Sequence, residues 1–241
     1  MDKKIEALRE AISKANNIVF FGGAGVSTES GLPDFRGIDG LYKQDYDFAP
    51  EYYLSYRCLK DTPKEFFDFQ RNRFSSFVNA KPNAAHKKLA ELEKQGKLKA
   101  VITQNVDGLH QAAGSKNVIE LHGNTLKCHC TLCHKSYDIS DIMGSEGIPR
   151  CKICRGGIIR PNVVMYGEKL DKNLIKKATK YIRAADMLII GGTSLVVNPA
   201  VGLAHEFREG KLVLINLGLT PFDDRADIVI HDKIGTVMSQ L

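Results

Sequence analysis

The sequence lacks long apolar runs: no stretch of its 241 residues approaches the ~20 apolar residues that a membrane-spanning helix needs. It also lacks any run of five lysine or arginine residues, and its net charge of +6 does not by itself require a nucleic-acid partner. Its first seventeen residues mix acids with bases, unlike a secretory signal or a transit peptide. We therefore expect a cytoplasmic protein with no membrane partner and no specific nucleic-acid partner.

The cysteine pattern excludes a small disulfide scaffold, because the chain is too long and shows no secretory signal. Five of the six cysteines fall within 27 residues. Two C-x2-C pairs, seventeen residues apart, offer four thiolates at the spacing of a closed, structural zinc site: Cys130, Cys133, Cys151 and Cys154. Cys128 could compete as a ligand, and His129 and His134 are weaker alternatives.

Apolar segments typical of buried strands alternate with segments of helical periodicity. Strands are predicted at residues 18–21, 100–103, 118–121, 187–190, 212–215 and 228–230, and helices at 3–17, 83–94, 171–184 and 199–208. This alternation predicts an α/β fold with a doubly wound, parallel, Rossmann-like sheet. Residues 1–43, 78–122 and 158–241 would form that unit. The aromatic-rich residues 44–77 would form a loop and a helical module, and residues 123–157 a small zinc-binding insert.

A glycine-rich turn follows the first predicted strand and begins the segment GGAGVSTESGLPDFRG, residues 22–37. Residues 26–30 could form a short helix, with Gly31 and Pro33 ending it. A strand, a glycine turn and a helix N-terminus together favour a bound phosphate. The glycines alone are equally typical of a tight turn, but residues 33–37 add an acid, an aromatic ring and a guanidinium beside it.

Two polar segments follow the next predicted strands, at the sheet edge where open α/β folds bind ligands. The first is TQNVDGLH, residues 103–110, whose amide and carboxylate groups could serve a ligand or form an Asx-type turn. The second is LHGN, residues 121–124, which contains His122, and the unperturbed pKa of a histidine, about 6.5, suits a general base near neutral pH. A single histidine is more often structural, but this one precedes the zinc insert, where two units should meet.

These segments resemble, in order, the motifs of the sirtuins, which are NAD-dependent protein deacylases. The resemblance covers residues 18 to 234 and includes GAGVSTESGLPDFRG, TQNVDGLH, LHG, the zinc insert, RPNVVMYGE at 160–168, GTSL at 192–195 and the Ile-Asn pair at 215–216. Met165 and Tyr166 depart from the family, where a Phe-Phe or similar pair is usual.

The resemblance implies that NAD is a consumed co-substrate rather than a hydride carrier. It implies His122 as general base and Asn105 and Asp107 as the other catalytic residues, with nicotinamide held by residues 105–107 and the reactive ribose shielded by Phe35. The implied NAD-binding residues are Gly23, Ala24, Gly25, Thr28, Asp34, Phe35, Arg36, Gln104, Asn105, Val106, Asp107, His122, Thr193, Ser194, Asn216, Leu217 and Ile234. The implied peptide-binding residues are Val163, Val164, Met165, Tyr166, Gly167, Glu168, Leu195, Val196 and Asn198.

The sequence thus predicts an NAD-dependent protein-lysine deacetylase or deacylase with one structural Zn²⁺ and acylated proteins or peptides as partners, acting as a monomer. A protein ADP-ribosyltransferase of the same fold is the first alternative, because the two reactions share a first step. A zinc-ribbon module that binds nucleic acid or a protein partner is a second, but it leaves the motifs at 104–107 and 122 unexplained. An NAD oxidoreductase is a third, disfavoured by the lack of an acid at a dehydrogenase-type position.

Overall fold

A computed structural model of the protein describes residues 2–37, 40–196 and 200–241. The strands in these ranges are β1 (Ile18–Gly22), β2 (Leu98–Thr103), β3 (Val118–Glu120), β4 (Gly123–Cys130), β5 (Ser136–Asp138), β6 (Ile159–Val163), β7 (Met187–Gly191), β8 (Lys211–Ile215) and β9 (Ile228–Ile230). The α-helices are α1 (Asp2–Lys14), α2 (Pro50–Tyr53), α3 (Tyr56–Asp61), α4 (Pro63–Asn79), α5 (Ala84–Lys94), α6 (Leu109–Ala112), α7 (Ile139–Met143), α8 (Lys172–Ala184), α9 (Ala200–Ala204) and α10 (Ile234–Met238). None of these helices is long and apolar enough to cross a membrane.

The large sheet has the order β3-β2-β1-β7-β8-β9, and every pair in it is parallel. Its central strands β1 and β7 are buried along their whole length, as expected when helices cover both faces. One apolar cluster packs the sheet against α1, α5 and α10, and a second packs it against α8 and α9. The predicted doubly wound parallel sheet is therefore confirmed, with its strand order reversing between β1 and β7.

A smaller unit lies beside the carboxyl edge of this sheet. Its antiparallel sheet has the order β5-β4-β6, so β6 pairs with β4 rather than with the large sheet. The aromatic side chains of α4 pack with α7 and with buried residues of this sheet in one cluster that includes Phe66, Phe74, Cys128 and Ile142. The helical module and the zinc insert thus share a core, while the predicted boundaries of the three units stay predictions.

Two local predictions were wrong. The helix predicted at residues 26–30 is instead a pair of 3-10 turns, Ala24–Val26 and Thr28–Ser30, and Gly31 ends the second at φ 82°. The helix predicted to reach residue 208 ends at Ala204, where i→i−3 turn bonds replace helical ones and Phe207 folds into the core. Residues 197–199, including the predicted start of this helix, lie outside the described residues.

Candidate functional site

A cavity of about 1730 Å³ opens between the carboxyl edge of the large sheet and the smaller unit. The loops that follow β1, β2, β7 and β8 line one side, and α4 and the segment after β6 line the other. Every predicted NAD-binding residue lines this cavity, as do Val163, Val164, Met165, Tyr166, Gly167 and Glu168. Of the remaining predicted peptide-binding residues, Leu195 and Val196 follow the lining residue Ser194, and Asn198 lies outside the described residues.

The floor of the cavity is formed by two glycine turns in direct contact. Gly25 N–H donates to the carbonyl of Gly192 at 2.8 Å, and Gly192 has a φ of +57°. A Cβ atom on Gly25 would lie 2.8 Å from the Gly192 Cα. Only glycine allows this approach, which brings the backbones after β1 and β7 together where the strand order reverses. Ligands bind at that position in doubly wound folds.

A buried polar cluster lies deeper, around the predicted nicotinamide residues. The hydroxyl of Ser27 donates to Asp107 Oδ2 at 2.7 Å and accepts from Asn105 Nδ2 at 3.1 Å. All three residues are buried: Ser27 is 2 % exposed, Asp107 5 % and Asn105 9 %. Asp107 Oδ1 also accepts from the Leu109 N–H at the start of α6, so the Asx-type turn is present as well. Ser27 lies 80 positions before Asp107 in the sequence, and the sequence analysis missed its part in this cluster.

His122 lies in the turn between β3 and β4, and its Nδ1 is 2.9 Å from the carbonyl oxygen of Gln104. Because a carbonyl only accepts, Nδ1 carries the hydrogen in neutral His122 and Nε2 keeps its lone pair. Burial lowers the pKa of His122 from its ordinary value of 6.5, although the Gln104 hydrogen bond opposes this. The ring is therefore neutral at pH 7 and Nε2 can accept a proton.

Gln104 connects the ends of two strands. Its side chain donates from Nε2 to Thr193 Oγ1 at 3.2 Å, and its backbone N–H donates to the Gly22 carbonyl at 3.0 Å. Thr193 Oγ1 also accepts from the Leu195 N–H at 3.3 Å. Leu195 is buried and has a φ of +53°, a conformation that a leucine side chain rarely adopts. These bonds fix the predicted ribose-side residues relative to His122.

The loop after the first glycine turn holds three predicted residues. Asp34 Oδ1 accepts from the Gly37 N–H at 2.7 Å, which orders the loop. The rings of Phe35 and Tyr42 meet edge to face at 5.7 Å, and the Arg36 guanidinium lies 5.2 Å from the centre of the Tyr42 ring. Arg73 of α4 lines the cavity 5.9 Å from the Phe35 ring centre, and the sequence analysis missed it.

The far end of the cavity is formed by the loops after β8 and β9. Asn216 Nδ2 donates to the Gly218 carbonyl at 2.8 Å, and Leu217 is 63 % exposed. Ile234 is only 2 % exposed and packs closely on Gly191, where a Cβ atom would lie 2.3 Å from the Ile234 Cδ1. The predicted contact of Ile234 with adenine stays a prediction. Amide, hydroxyl and apolar groups lining a cavity of this volume fit a dinucleotide.

The segment after β6 is held to both units. The Val164 N–H donates to the His122 carbonyl at 2.9 Å, and the Tyr166 N–H and carbonyl bond to Leu54 and Tyr56 at 3.0 Å each. Glu168 accepts from Arg160 at 2.6 and 2.8 Å, and its Oε2 also accepts from the Met165 N–H at 2.9 Å. Glu168 thus shapes this segment from within, while Tyr166 is 44 % exposed toward the cavity mouth.

The four predicted zinc cysteines converge. Their sulfur atoms all lie within 4.8 Å of one another, and two of the separations are 3.5 and 3.6 Å, close to the ~3.8 Å edge of a tetrahedron with ~2.3 Å Zn–S bonds. The N–H groups of Cys133 and Cys154 point at the sulfurs of Cys130 and Cys151, each at 3.4 Å. This donor set fits a structural Zn²⁺ with no open position.

Cys128 takes no part in this group. The four sulfur atoms that lie within 4.8 Å of one another do not include its own, and its side chain is 1 % exposed within the core shared with α4. A buried cysteine outside such a group packs as a small apolar residue. The competing assignment of Cys128 is therefore disfavoured.

The chain is similar in sequence and in structure to known proteins. The sequence model of the Sir2 family matches residues 23–199. An NAD-dependent protein deacetylase of Clostridium perfringens is 54 % identical over all of this chain and 99 % of its own, and one of Staphylococcus aureus strain Mu50 is 44 % identical over the same shares. A structure of Sir2 with p53 peptide and NAD⁺ has a TM-score of 0.86 at 38 % identity, covering 97 % of this chain and 95 % of that one. The chain belongs to the Sir2 family.

Proposed function

We propose that the protein removes acetyl or related acyl groups from lysine side chains and consumes one NAD per group removed. The observation that carries this proposal is the contact of His122 Nδ1 with the Gln104 carbonyl, which leaves Nε2 to act as a base in the same cavity as the buried Ser27–Asp107–Asn105 cluster. When bound, NAD supplies an ADP-ribosyl group that accepts the acyl group. One water is consumed, and the products are free lysine, nicotinamide and O-acyl-ADP-ribose.

The residues divide the cavity into regions with different tasks. The glycine turns, Thr193, Ser194 and Asn216 would hold the phosphates and the adenosine ribose, since all follow strands of the large sheet. The buried Ser27–Asp107–Asn105 cluster would hold the nicotinamide amide through hydrogen bonds and keep water out. His122 Nε2 would take a proton from a ribose hydroxyl. Phe35 would cover the reacting ribose.

The acylated peptide would lie along Val163–Glu168. This segment begins at Val163, the last residue of β6, and its Val164 N–H donates to the carbonyl of His122. A peptide beside it would therefore place an acyl-lysine near the base. Main-chain pairing of an added strand gives affinity with little demand on side chains. A Sir2 structure at 37 % identity and TM-score 0.86 is bound to a propionylated peptide, which supports acyl groups longer than acetyl. The monomeric state and the cytoplasmic location stay predictions.

The test is mass spectrometry of an acetyl-lysine peptide incubated with the protein, with and without NAD. Loss of acetyl only with NAD, together with nicotinamide and O-acetyl-ADP-ribose, would support the proposal, and His122→Ala should abolish it. Label from [adenylate-³²P]NAD that stays on protein while the peptide keeps its acetyl group would favour ADP-ribosyl transfer. The proposal would be contradicted if NAD and peptide both stayed intact, and did so again when the experiment was repeated with propionyl and longer acyl peptides.

A further inference from the structure

Helix α8 carries a row of lysines that begins in the cavity. Lys172, Lys176 and Lys180 are spaced four residues apart and so share one face of the helix. Lys172 and Lys176 line the cavity, as does Lys169, which directly follows the Val163–Glu168 segment. A shallow groove of about 500 Å³ shares Lys176 with the cavity and continues along the helix to Lys180. The row therefore extends outward from the proposed peptide site.

These lysines are not neutralised by the protein itself. All four are exposed, and within residues 2–37, 40–196 and 200–241 no carboxylate oxygen lies within 4.0 Å of their Nζ atoms. Two other exposed lysines on helices do have such partners: Lys14 pairs with Glu10 at 2.6 Å, and Lys64 pairs with Asp68 at 2.7 Å. Arg183, at the end of α8, pairs with Glu206 at 2.6 Å.

Lys172 is the first residue of α8, where a cation meets the positive pole of the helix dipole, while the carboxylate of Asp171 caps that end and accepts from the Asn173 N–H at 2.7 Å. The row as a whole therefore owes nothing to the helix dipole. Exposed positive charge that lines and leaves a ligand cavity favours an acidic ligand.

We propose that Lys169, Lys172 and Lys176 select acyl-lysine substrates that carry Asp or Glu within a few residues of the acyl-lysine, on the side that lies over α8. This inference rests on the proposed function and adds the charge class of its substrates. The contacts are solvent-exposed, so each acidic residue should change affinity by about two- to fivefold and the effect should weaken with salt.

The test uses acetyl-lysine peptides of one sequence in which the second, third and fourth residues counted from the acetyl-lysine are all Glu, all Gln or all Lys. One set carries these residues before the acetyl-lysine and a second set carries them after it. Because each Glu should contribute two- to fivefold, we expect the KM of one peptide with three Glu residues to be at least about eightfold below that of its Gln twin in 20 mM salt, and the ratio to approach one in 500 mM salt. In Lys172→Glu/Lys176→Glu the preference should shift to the Lys peptide. The matched control, Lys87→Glu/Lys94→Glu on the exposed side of α5, should keep the wild-type ratio.

Turnover of the Gln peptide by the wild-type protein tests the proposed function separately. Fluorescence anisotropy of the same peptides, labelled at one end, gives their Kd ratios whether or not they are turned over. Equal KM and Kd values for Glu and Gln peptides at low salt, or a ratio unchanged in Lys172→Glu/Lys176→Glu, would overturn the selection of acidic substrates.

Discussion

The hydroxyl of Ser27 donates a hydrogen bond to the carboxylate of Asp107 at 2.7 Å, between two side chains that are almost fully buried. The same oxygen accepts from Asn105, so one serine orients both polar groups of the proposed nicotinamide pocket. A buried carboxylate that loses a donor has no water to replace it. Ser27 is therefore as important to the pocket as Asn105 and Asp107, which the TQNVDGLH segment itself indicates.

Ser27→Ala should therefore lower the free energy of unfolding by about 1–3 kcal/mol and weaken inhibition by nicotinamide roughly tenfold. Urea unfolding and the nicotinamide Ki measure the two effects. Ser75→Ala is the matched control, because its hydroxyl bonds only to a carbonyl one turn earlier on an exposed part of α4. Wild-type values of both quantities in Ser27→Ala would remove the serine from this role.

The pH dependence of turnover should report His122. Burial lowers its pKa below 6.5, so the base is already neutral at pH 7 and becomes protonated only at lower pH. We expect kcat/KM to rise with pH to a plateau, with an apparent pKa below 6.5 on the acid side. His122→Ala should lose this limb along with turnover while keeping a wild-type far-UV spectrum and one bound zinc. An acid limb centred above 6.5 would contradict the assignment.

His110 and His86 give a separate prediction about stability. Both are buried with ring centres 4.7 Å apart, and burial lowers the pKa of His110 to about 3 and that of His86 to about 4. The unfolded chain therefore binds more protons below pH 6.5, and stability must fall as the pH falls from 6.5 toward 4. Each histidine should contribute about 2 kcal/mol of this loss at pH 5.

His110→Phe should reduce the loss of unfolding free energy between pH 7 and pH 5 by about 2 kcal/mol. Neither ring nitrogen of His110 has a hydrogen-bond partner among the described residues, so phenylalanine removes no such bond. His205→Phe, on the surface loop after α9, serves as the control. The same pH dependence in wild type and His110→Phe would contradict the prediction.

The sequence alone predicted those parts of the site whose residues lie close together along the chain. The strands, the glycine turn, the TQNVDGLH segment and the four cysteines are each contiguous or closely spaced, so periodicity and spacing indicate them. The predicted NAD-binding residues meet in one cavity because parallel strands end at one edge.

The missing parts depend on contacts between distant segments. Ser27 reads as one polar residue in a turn, and only the fold places it against Asp107, 80 positions away. Arg73 lies on an amphipathic helix whose orientation is set by the core shared with the zinc insert. The helix expected at 26–30 becomes 3-10 turns because the segment must follow the close glycine contact with Gly192. Contacts of this kind between distant segments cannot be predicted from periodicity or from the spacing of motifs.

Removal of zinc should affect the cavity although the metal site lies outside it. The insert and α4 share a core, and α4 contributes Gln70, Arg73 and Phe74 to the cavity wall. We expect one zinc per chain by plasma mass spectrometry, and chelation or Cys133→Ser should lower the melting temperature and the activity together. Cys128→Ala should keep its zinc with only a modest loss of stability. Full activity in a zinc-free protein would contradict this coupling.

The ion pair of Arg160 and Glu168 shapes the proposed peptide segment. Nη1 and Nη2 of Arg160 both donate to the Glu168 carboxylate, and Nη2 also donates to the Val163 carbonyl at 2.8 Å. Burial alone would raise the pKa of Glu168, but the Arg160 hydrogen bonds hold it below its ordinary value of 4.5. The carboxylate is therefore ionised throughout the working pH range, and Arg160, at 8 % exposed, depends on it as a partner.

Glu168→Gln should leave this buried guanidinium without its counter-charge and lower the free energy of unfolding by about 1–3 kcal/mol, less than for a fully buried pair because Glu168 is partly exposed. The loosened segment should raise the peptide KM several-fold while the Kd for NAD, measured by calorimetry, changes less than twofold. Lys64→Met, which breaks an exposed pair with Asp68 on α4, should change the unfolding free energy by less than about 1 kcal/mol. Equal effects of the two variants on stability, or a peptide KM that stays at the wild-type value in Glu168→Gln, would show that the pair does not hold the peptide segment in place.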